Sequence, residues 1–154
     1  MTNSTDMKTG IFTGSFDPFT IGHDAIVRRA LPLFDRIVIG IGVNERKQYD
    51  ESVEERMRAI SALYDGEPKI EVRQYSDLTV DFARRENAAY IIKGVRSMKD
   101  FEYERGQADI NLRIGGIDTI ILFAEPQYGS ISSSMVRELR HFGKDTDEFI
   151  PKRQ

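Results

Sequence analysis

Two kinds of apolar pattern alternate along the chain. Short runs rich in β-branched and aromatic residues occur at 11–13, 36–43, 69–74, 89–93 and 118–124, and each reads as a strand. The run 36–43 (Arg-Ile-Val-Ile-Gly-Ile-Gly-Val) is apolar without a break, which suits a strand buried on both faces of a parallel sheet. Between the runs the apolar positions take helical spacing. Ile26, Val27, Ala30 and Phe34 share a face of a helix over about 22–34, whose last turn Pro32 disturbs. Ser52 and Glu55 form a capping box for a helix to about Tyr64. Asp77 or Thr79 can cap a helix from about Val80 to Glu86. A helix over about 99–114 stops at Gly115-Gly116, and Ser132-Ser133-Ser134 open a final one to about His141.

Five strand–helix units in succession, with no repeat and no linker, predict a single α/β domain over 1–154. The expected architecture is a Rossmann-like, five-stranded parallel sheet with helices on both faces and right-handed crossovers. Ligands of such sheets bind outside the carboxyl ends of the strands, at the point where strand order reverses. Segments 14–23, 44–47, 77–79, 93–96 and 128–134 each follow one of the five runs. The topology therefore gathers them at one edge.

Those segments carry the chemistry. Gly14-Ser15-Phe16-Asp17-Pro18-Phe19-Thr20-Ile21-Gly22-His23 is a strand-to-helix turn. Gly14 permits close approach of a ligand to the backbone, and Pro18 stiffens the loop. The helix start offers free N–H groups and the positive dipole end to an anion. His23, cationic or hydrogen-bonding, can hold a phosphoryl oxygen as charge develops, and a His at this place can also simply cap its helix. Lys47 lies in a polar loop, next to Arg46. Lys93-Gly94-Val95-Arg96 joins two cations to exposed backbone at a strand end, an anion cradle. Tyr128-Gly129-Ser130-Ile131-Ser132-Ser133-Ser134 places hydroxyls and N–H groups at a helix N-terminus. Arg137, in the first helical turn, opposes the dipole unless an anion is near.

The ten-residue string at 14–23 resembles the Thr-x-Gly-His form of the nucleotidylyltransferase signature, and its spelling is similar to that of the bacterial phosphopantetheine adenylyltransferase family. The resemblance extends from about residue 8 to 151 and takes in Lys93-Gly94-Val95-Arg96, the run Asp100-Phe101-Glu102-Tyr103-Glu104 and Ile131-Ser132-Ser133-Ser134. It implies transfer of AMP from ATP to 4′-phosphopantetheine, giving dephospho-coenzyme A and pyrophosphate. It further implies roles for individual residues. His23 stabilises the pentavalent phosphorus, and Ser15 touches both substrates. Lys47 binds the acceptor phosphate and shares in catalysis. Thr79, beside Leu78, meets the pantetheine arm, although capping and core packing explain both residues as well. Phe16, Gly94, Val95, Arg96, Glu104, Tyr128, Gly129, Ser130, Ile131, Ser132, Ser133 and Ser134 meet ATP. Lys93 stands where the family usually has Arg, on the acceptor side. Mg²⁺ on the ATP phosphates, inhibition by coenzyme A and a homohexamer are implied too. Relatives acting on nicotinate mononucleotide or glycerol 3-phosphate usually have His where Thr20 stands and lack Ile-Ser-Ser-Ser in this form. A nucleotide sensor with a decayed site would not be expected to keep Ser15, His23 and Lys47.

Composition removes other classes. A net charge of −3 gives no basic footprint for nucleic acid. Cysteine is absent, so there is no disulfide and no thiolate metal site, in keeping with a cytoplasmic location. No apolar stretch approaches the roughly 20 residues needed to span a membrane, and the motifs show no carboxylate cage for a metal. Residues 1–6 are polar and read as a flexible lead-in without a signal peptide. Met7 could be an alternative start, and Asn3-Ser4-Thr5 is a chance sequon.

Overall fold

The computed structural model describes residues 7–153, so the lead-in at 1–6 lies outside it. Five strands alternate with five α-helices. They are β1 Thr9–Gly14, α1 Ile21–Ala30, β2 Arg36–Gly42, α2 Val53–Leu63, β3 Ile70–Tyr75, α3 Thr79–Arg85, β4 Tyr90–Val95, α4 Met98–Gly115, β5 Asp118–Phe123 and α5 Ser133–His141. The strands form one sheet in the order β3-β2-β1-β4-β5, and every pairing is parallel. β1 lies centrally, between β2 and β4. The chain moves outward from β1 to β3, then returns past β1 to begin β4. The reversal therefore falls between β1 and β4, whose carboxyl ends carry the 14–23 turn and the 93–96 segment.

Alternation along the strands divides the core into two layers. Phe12, Ile37, Ile39, Ile41 and Ile92 pack with Ile26, Val27 and Ala30 of α1 and Ile60 and Leu63 of α2. Ile11, Val38 and Ile91 point the other way, onto Val80, Phe82 and Ala83 of α3. The unbroken apolar run at 36–43 follows from this burial on both faces.

Local signals place most boundaries. Ser52 accepts from the Glu55 N–H and the Glu55 carboxylate accepts from the Ser52 N–H, so the capping box forms. Pro32 ends α1 by turning 31–33 into a 3₁₀ turn. Gly116 closes α4 in the left-handed region, at φ 66°. Two expectations need correction. Neither Asp77 nor Thr79 caps α3: Leu78 stands at the N-cap with no side-chain bond. Asp77 instead pairs with Arg85 at 2.7 Å, and Thr79 is already helical, its hydroxyl 3.2 Å from that of Tyr75. β4 also runs through Gly94 to Val95 rather than ending before it. Among the described residues, no helix is long and apolar enough to cross a membrane.

Candidate active site

The turn after β1 is held in a conformation that its own residues disfavour. Phe16 has φ 51°, in the left-handed region that aromatic side chains avoid. Three contacts from outside the turn retain it. Arg56 of α2 donates to the Ser15 carbonyl at 2.7 Å. The Ser133 hydroxyl donates to the Pro18 carbonyl at 2.7 Å, and Arg137 donates to the Asp17 carbonyl at 2.7 Å. The buried Asp17 carboxylate accepts from the N–H groups of Asp50 and Glu51, both at 2.9 Å, and so ties the turn to the loop that follows β2. Local backbone strain of this kind persists only where surrounding structure over-determines it, and it concentrates at functional sites.

His23 occupies the third position of α1 and completes a capping box with Thr20. Its Nδ1 accepts from the Thr20 N–H at 2.9 Å. That bond requires Nδ1 to be bare, so the ring proton sits on Nε2 and the free nitrogen is a donor. The rings of Phe16 and Phe19 pack on the imidazole at 5.0 and 5.2 Å between centroids. Burial, and then the positive charges of Arg96 and Lys93, lower its pKa to about 4. At neutral pH His23 is therefore an uncharged hydrogen-bond donor, and capping occupies Nδ1 while Nε2 carries the proton.

Two cavities open along this edge and share a floor. The smaller, of about 350 Å³, is bordered by His23, Arg96, Tyr128, Ile131, the serines 132–134 and Arg137. The larger, of about 770 Å³, is bordered by the 42–47 loop, Tyr75, Leu78, Thr79 and the α4 residues Tyr103, Gln107 and Asn111. Thr13, Gly14, Ser15, Lys47, Lys93 and Glu104 border both. The topology thus separates a compartment carrying the helix start and the serines from a longer one beside α4. Two cations, Lys47 and Lys93, lie at their junction.

Most of the residues singled out in the sequence converge here. Lys47 Nζ lies 3.4 Å from Ser15 Oγ, bridging loops from two strands. Lys93 donates to the Thr13 carbonyl at 3.2 Å and stands 3.8 Å from the Glu104 carboxylate. Burial lowers its pKa, while Glu104 opposes the shift. Phe16 borders the smaller cavity, and so does Gly94, where a side chain would strike Ile26 at 2.7 Å. Arg46 borders the larger. Val95 packs into the core; it, Gly129 and Ser130 border neither cavity. The serines divide their duties. Ser132 is the N-cap of α5, and Ser133 is bonded to Pro18. Ser134 borders the same cavity, its hydroxyl accepting from Arg137 at 3.2 Å.

Several other residues at the site carry no signal in the sequence. Arg56 is a buried cation in an ordinary helical pattern. Gln107 and Asn111 continue from Glu104 along one face of α4, at the i, i+3 and i+7 positions, which was visible only once the helix had a neighbour. Thr119 borders the larger cavity, and its buried hydroxyl has no hydrogen-bond partner among the described residues. No group of three His, Asp or Glu side chains that could hold a metal ion occurs among the described residues.

Comparison with known proteins supplies the family. Residues 11–139 match the family described as Cytidylyltransferase-like. The phosphopantetheine adenylyltransferase of Phocaeicola vulgatus is 50% identical over 146 residues, covering 95% of this chain and 97% of that protein. The phosphopantetheine adenylyltransferase of Bacteroides fragilis is likewise 50% identical, with the same coverage. A bifunctional NMN adenylyltransferase/ADP ribose pyrophosphatase from Francisella tularensis superposes with a TM-score of 0.70 at 16% identity. That superposition covers 96% of this chain and 45% of the longer one, and shows a common fold. With half its residues shared across nearly the full length of such relatives, the chain belongs to the phosphopantetheine adenylyltransferase family of Cytidylyltransferase-like proteins.

Proposed function

We propose that the protein transfers AMP from ATP to 4′-phosphopantetheine, yielding dephospho-coenzyme A and pyrophosphate. The observation that carries this is the joined pair of cavities, with Ser15, Lys47 and Lys93 at their junction and His23 on the wall of the smaller. ATP fits the smaller compartment, its phosphates toward the start of α5 and Arg96, and Glu104 at the boundary. The acceptor's arm fits the larger, along Thr79 and α4, with its phosphate toward Lys47 and Lys93. An acceptor phosphate oxygen attacks the α-phosphorus, forming one P–O bond. The bond from that phosphorus to the β-phosphate oxygen breaks, and pyrophosphate leaves with the electron pair.

The acceptor phosphate is already an anion, so no side chain need act as nucleophile. Catalysis rests on alignment and on charge stabilisation. His23 contributes a neutral Nε2–H to a phosphoryl oxygen, and Lys47 a charge near the acceptor phosphate. Mg²⁺ would be held by the ATP phosphates and water rather than by this chain's carboxylates, and would neutralise phosphate charge. Coenzyme A, which combines a pantetheine arm with an adenylate, would span both cavities and inhibit. A cytoplasmic location suits the substrates and the lack of cysteine.

Pyrophosphate release from ATP and Mg²⁺ tests the proposal, with phosphopantetheine, nicotinate mononucleotide and glycerol 3-phosphate offered separately. Release should depend on phosphopantetheine. Release with another acceptor alone would reassign the larger cavity, and none with any acceptor would leave a nucleotide-binding protein.

A further inference from the structure

Arg56 is 2% exposed. Its guanidinium donates to the carbonyls of Ser15, Glu51 and Ser52 at 2.7, 3.2 and 3.3 Å, and among the described residues to no carboxylate. Burying a cation without a counter-charge is costly, and an apolar side chain would serve the packing of α2 alone. The carbonyls of Ser15 and Glu51 belong to different loops, however. The same guanidinium lies 4.1 Å above the Tyr49 ring. That ring lies 5.7 Å from Lys47 Nζ, and its hydroxyl accepts from the Asn44 N–H at 3.0 Å. A rigid fork thus reaches from the Ser15 backbone to the aromatic ring beside Lys47. The loops it joins meet again where Lys47 Nζ stands 3.4 Å from Ser15 Oγ.

We infer that Arg56 and Tyr49 are a positioning pair that fixes Lys47 against Ser15, and so aligns the acceptor phosphate with the α-phosphorus. Arg56, buried, acts through the Ser15 backbone, and Tyr49, at the wall of the larger cavity, acts through the Lys47 side chain. The inference rests on the proposed role of Lys47 in holding the acceptor. Only a planar, five-donor group can grip carbonyls at one edge while stacking on a ring. Lysine keeps the charge and loses that geometry.

The test is steady-state kinetics on Tyr49→Leu, Lys47→Ala and the double variant. Tyr49 is partly exposed and in a loop, so its replacement leaves the core in place. Tyr49→Leu should raise the KM for phosphopantetheine roughly three- to ten-fold, the range for losing such a stack, with the KM for ATP within about two-fold. In the Lys47→Ala background the same change should add less than about two-fold, because coupled residues are non-additive. Full additivity, or no effect of Tyr49→Leu, overturns the inference while leaving the role of Lys47 standing. If Lys47→Ala itself leaves the acceptor KM unchanged, the role of Lys47 falls and the inference with it. Arg56→Lys is the second arm. It should lower kcat about ten-fold without matching loss of folded protein by circular dichroism, and wild-type kinetics would count equally against the pair.

Discussion

In the proposed reaction His23 joins two roles that look like alternatives along the chain. Its Nδ1 caps α1 by accepting from Thr20, and the same bond directs the proton to Nε2. Glutamine at the third helical position completes the same capping box, so His23→Gln separates the roles. The variant should keep the helix start and lose about 10²–10³ in kcat, the range for removing one donor to a developing oxyanion. Activity within a few-fold of wild type would leave His23 as a cap only. The lowered pKa has a stability consequence as well. Below the ordinary value of 6.5 the unfolded chain takes up a proton at His23 that the folded chain refuses until about pH 4. Stability contributed here is complete above pH 6.5 and declines as pH falls toward 4. Urea unfolding across that window should show the decline, shallower in His23→Gln. At Lys93, Lys93→Ala should raise the KM for phosphopantetheine roughly ten- to a hundred-fold, as for loss of a charge-assisted hydrogen bond, and Lys93→Arg should keep most activity. A rise in the KM for ATP alone would move Lys93 to the nucleotide side with Arg96.

At the level of elements, the start of α5 is fastened to the turn after β1, so the serines differ in what they do. Ser134→Ala should weaken ATP in calorimetric titration and leave phosphopantetheine nearly unchanged. Ser133→Ala also removes the tether to Pro18 and should weaken both ligands; a loss confined to ATP would show that the tether has no part in shaping the turn. In the sheet, Gly40 of β2 lies under the stacked rings of Tyr75 and Phe82, whose centroids are 4.4 Å apart. A Cβ there would fall 2.4 Å from Phe82. Gly40→Ala should therefore cost about 1–3 kcal/mol, as overpacking does, read as a lower urea midpoint at unchanged slope.

At the level of the whole molecule, α4 stands apart from the other helices. It runs for 18 residues without one buried side chain. Tyr103, Ile110 and Ile114 fall along one face of it, 66%, 52% and 54% exposed, and Phe123 at the end of the edge strand is 64% exposed. An apolar face of this size suits burial against further copies of the chain. A homohexamer is the proposed assembly. Sedimentation should return a multiple of 17.6 kDa, and Ile110→Asp with Ile114→Asp should reduce it toward one copy. A mass near 17.6 kDa for the unaltered protein at micromolar concentration would refute the assembly.

Element order was legible in the sequence because strand and helix periods differ and because capping signals are local. Ser52 with Glu55, Pro32 and Gly116 each act within one turn of chain, so neighbours along the sequence suffice to read them. The convergence of five loops was legible for a related reason, since parallel strands joined by helices all end at one edge. What needed the tertiary structure was every property set by partners distant in sequence. Arg56 looks like a surface cation of α2 until Ser15 and Tyr49 surround it. The protonation of His23 depends on burial against Phe16 and Phe19 and on the charges of Arg96 and Lys93, 70 and more residues further along the chain. Asp77 has a capper's chemistry, yet Arg85 takes its carboxylate. The sequence determined the fold and the family of groups at the site. Three-dimensional packing decided which of them are free to bind, and in which protonation state, because hydrogen bonds and desolvation act through space.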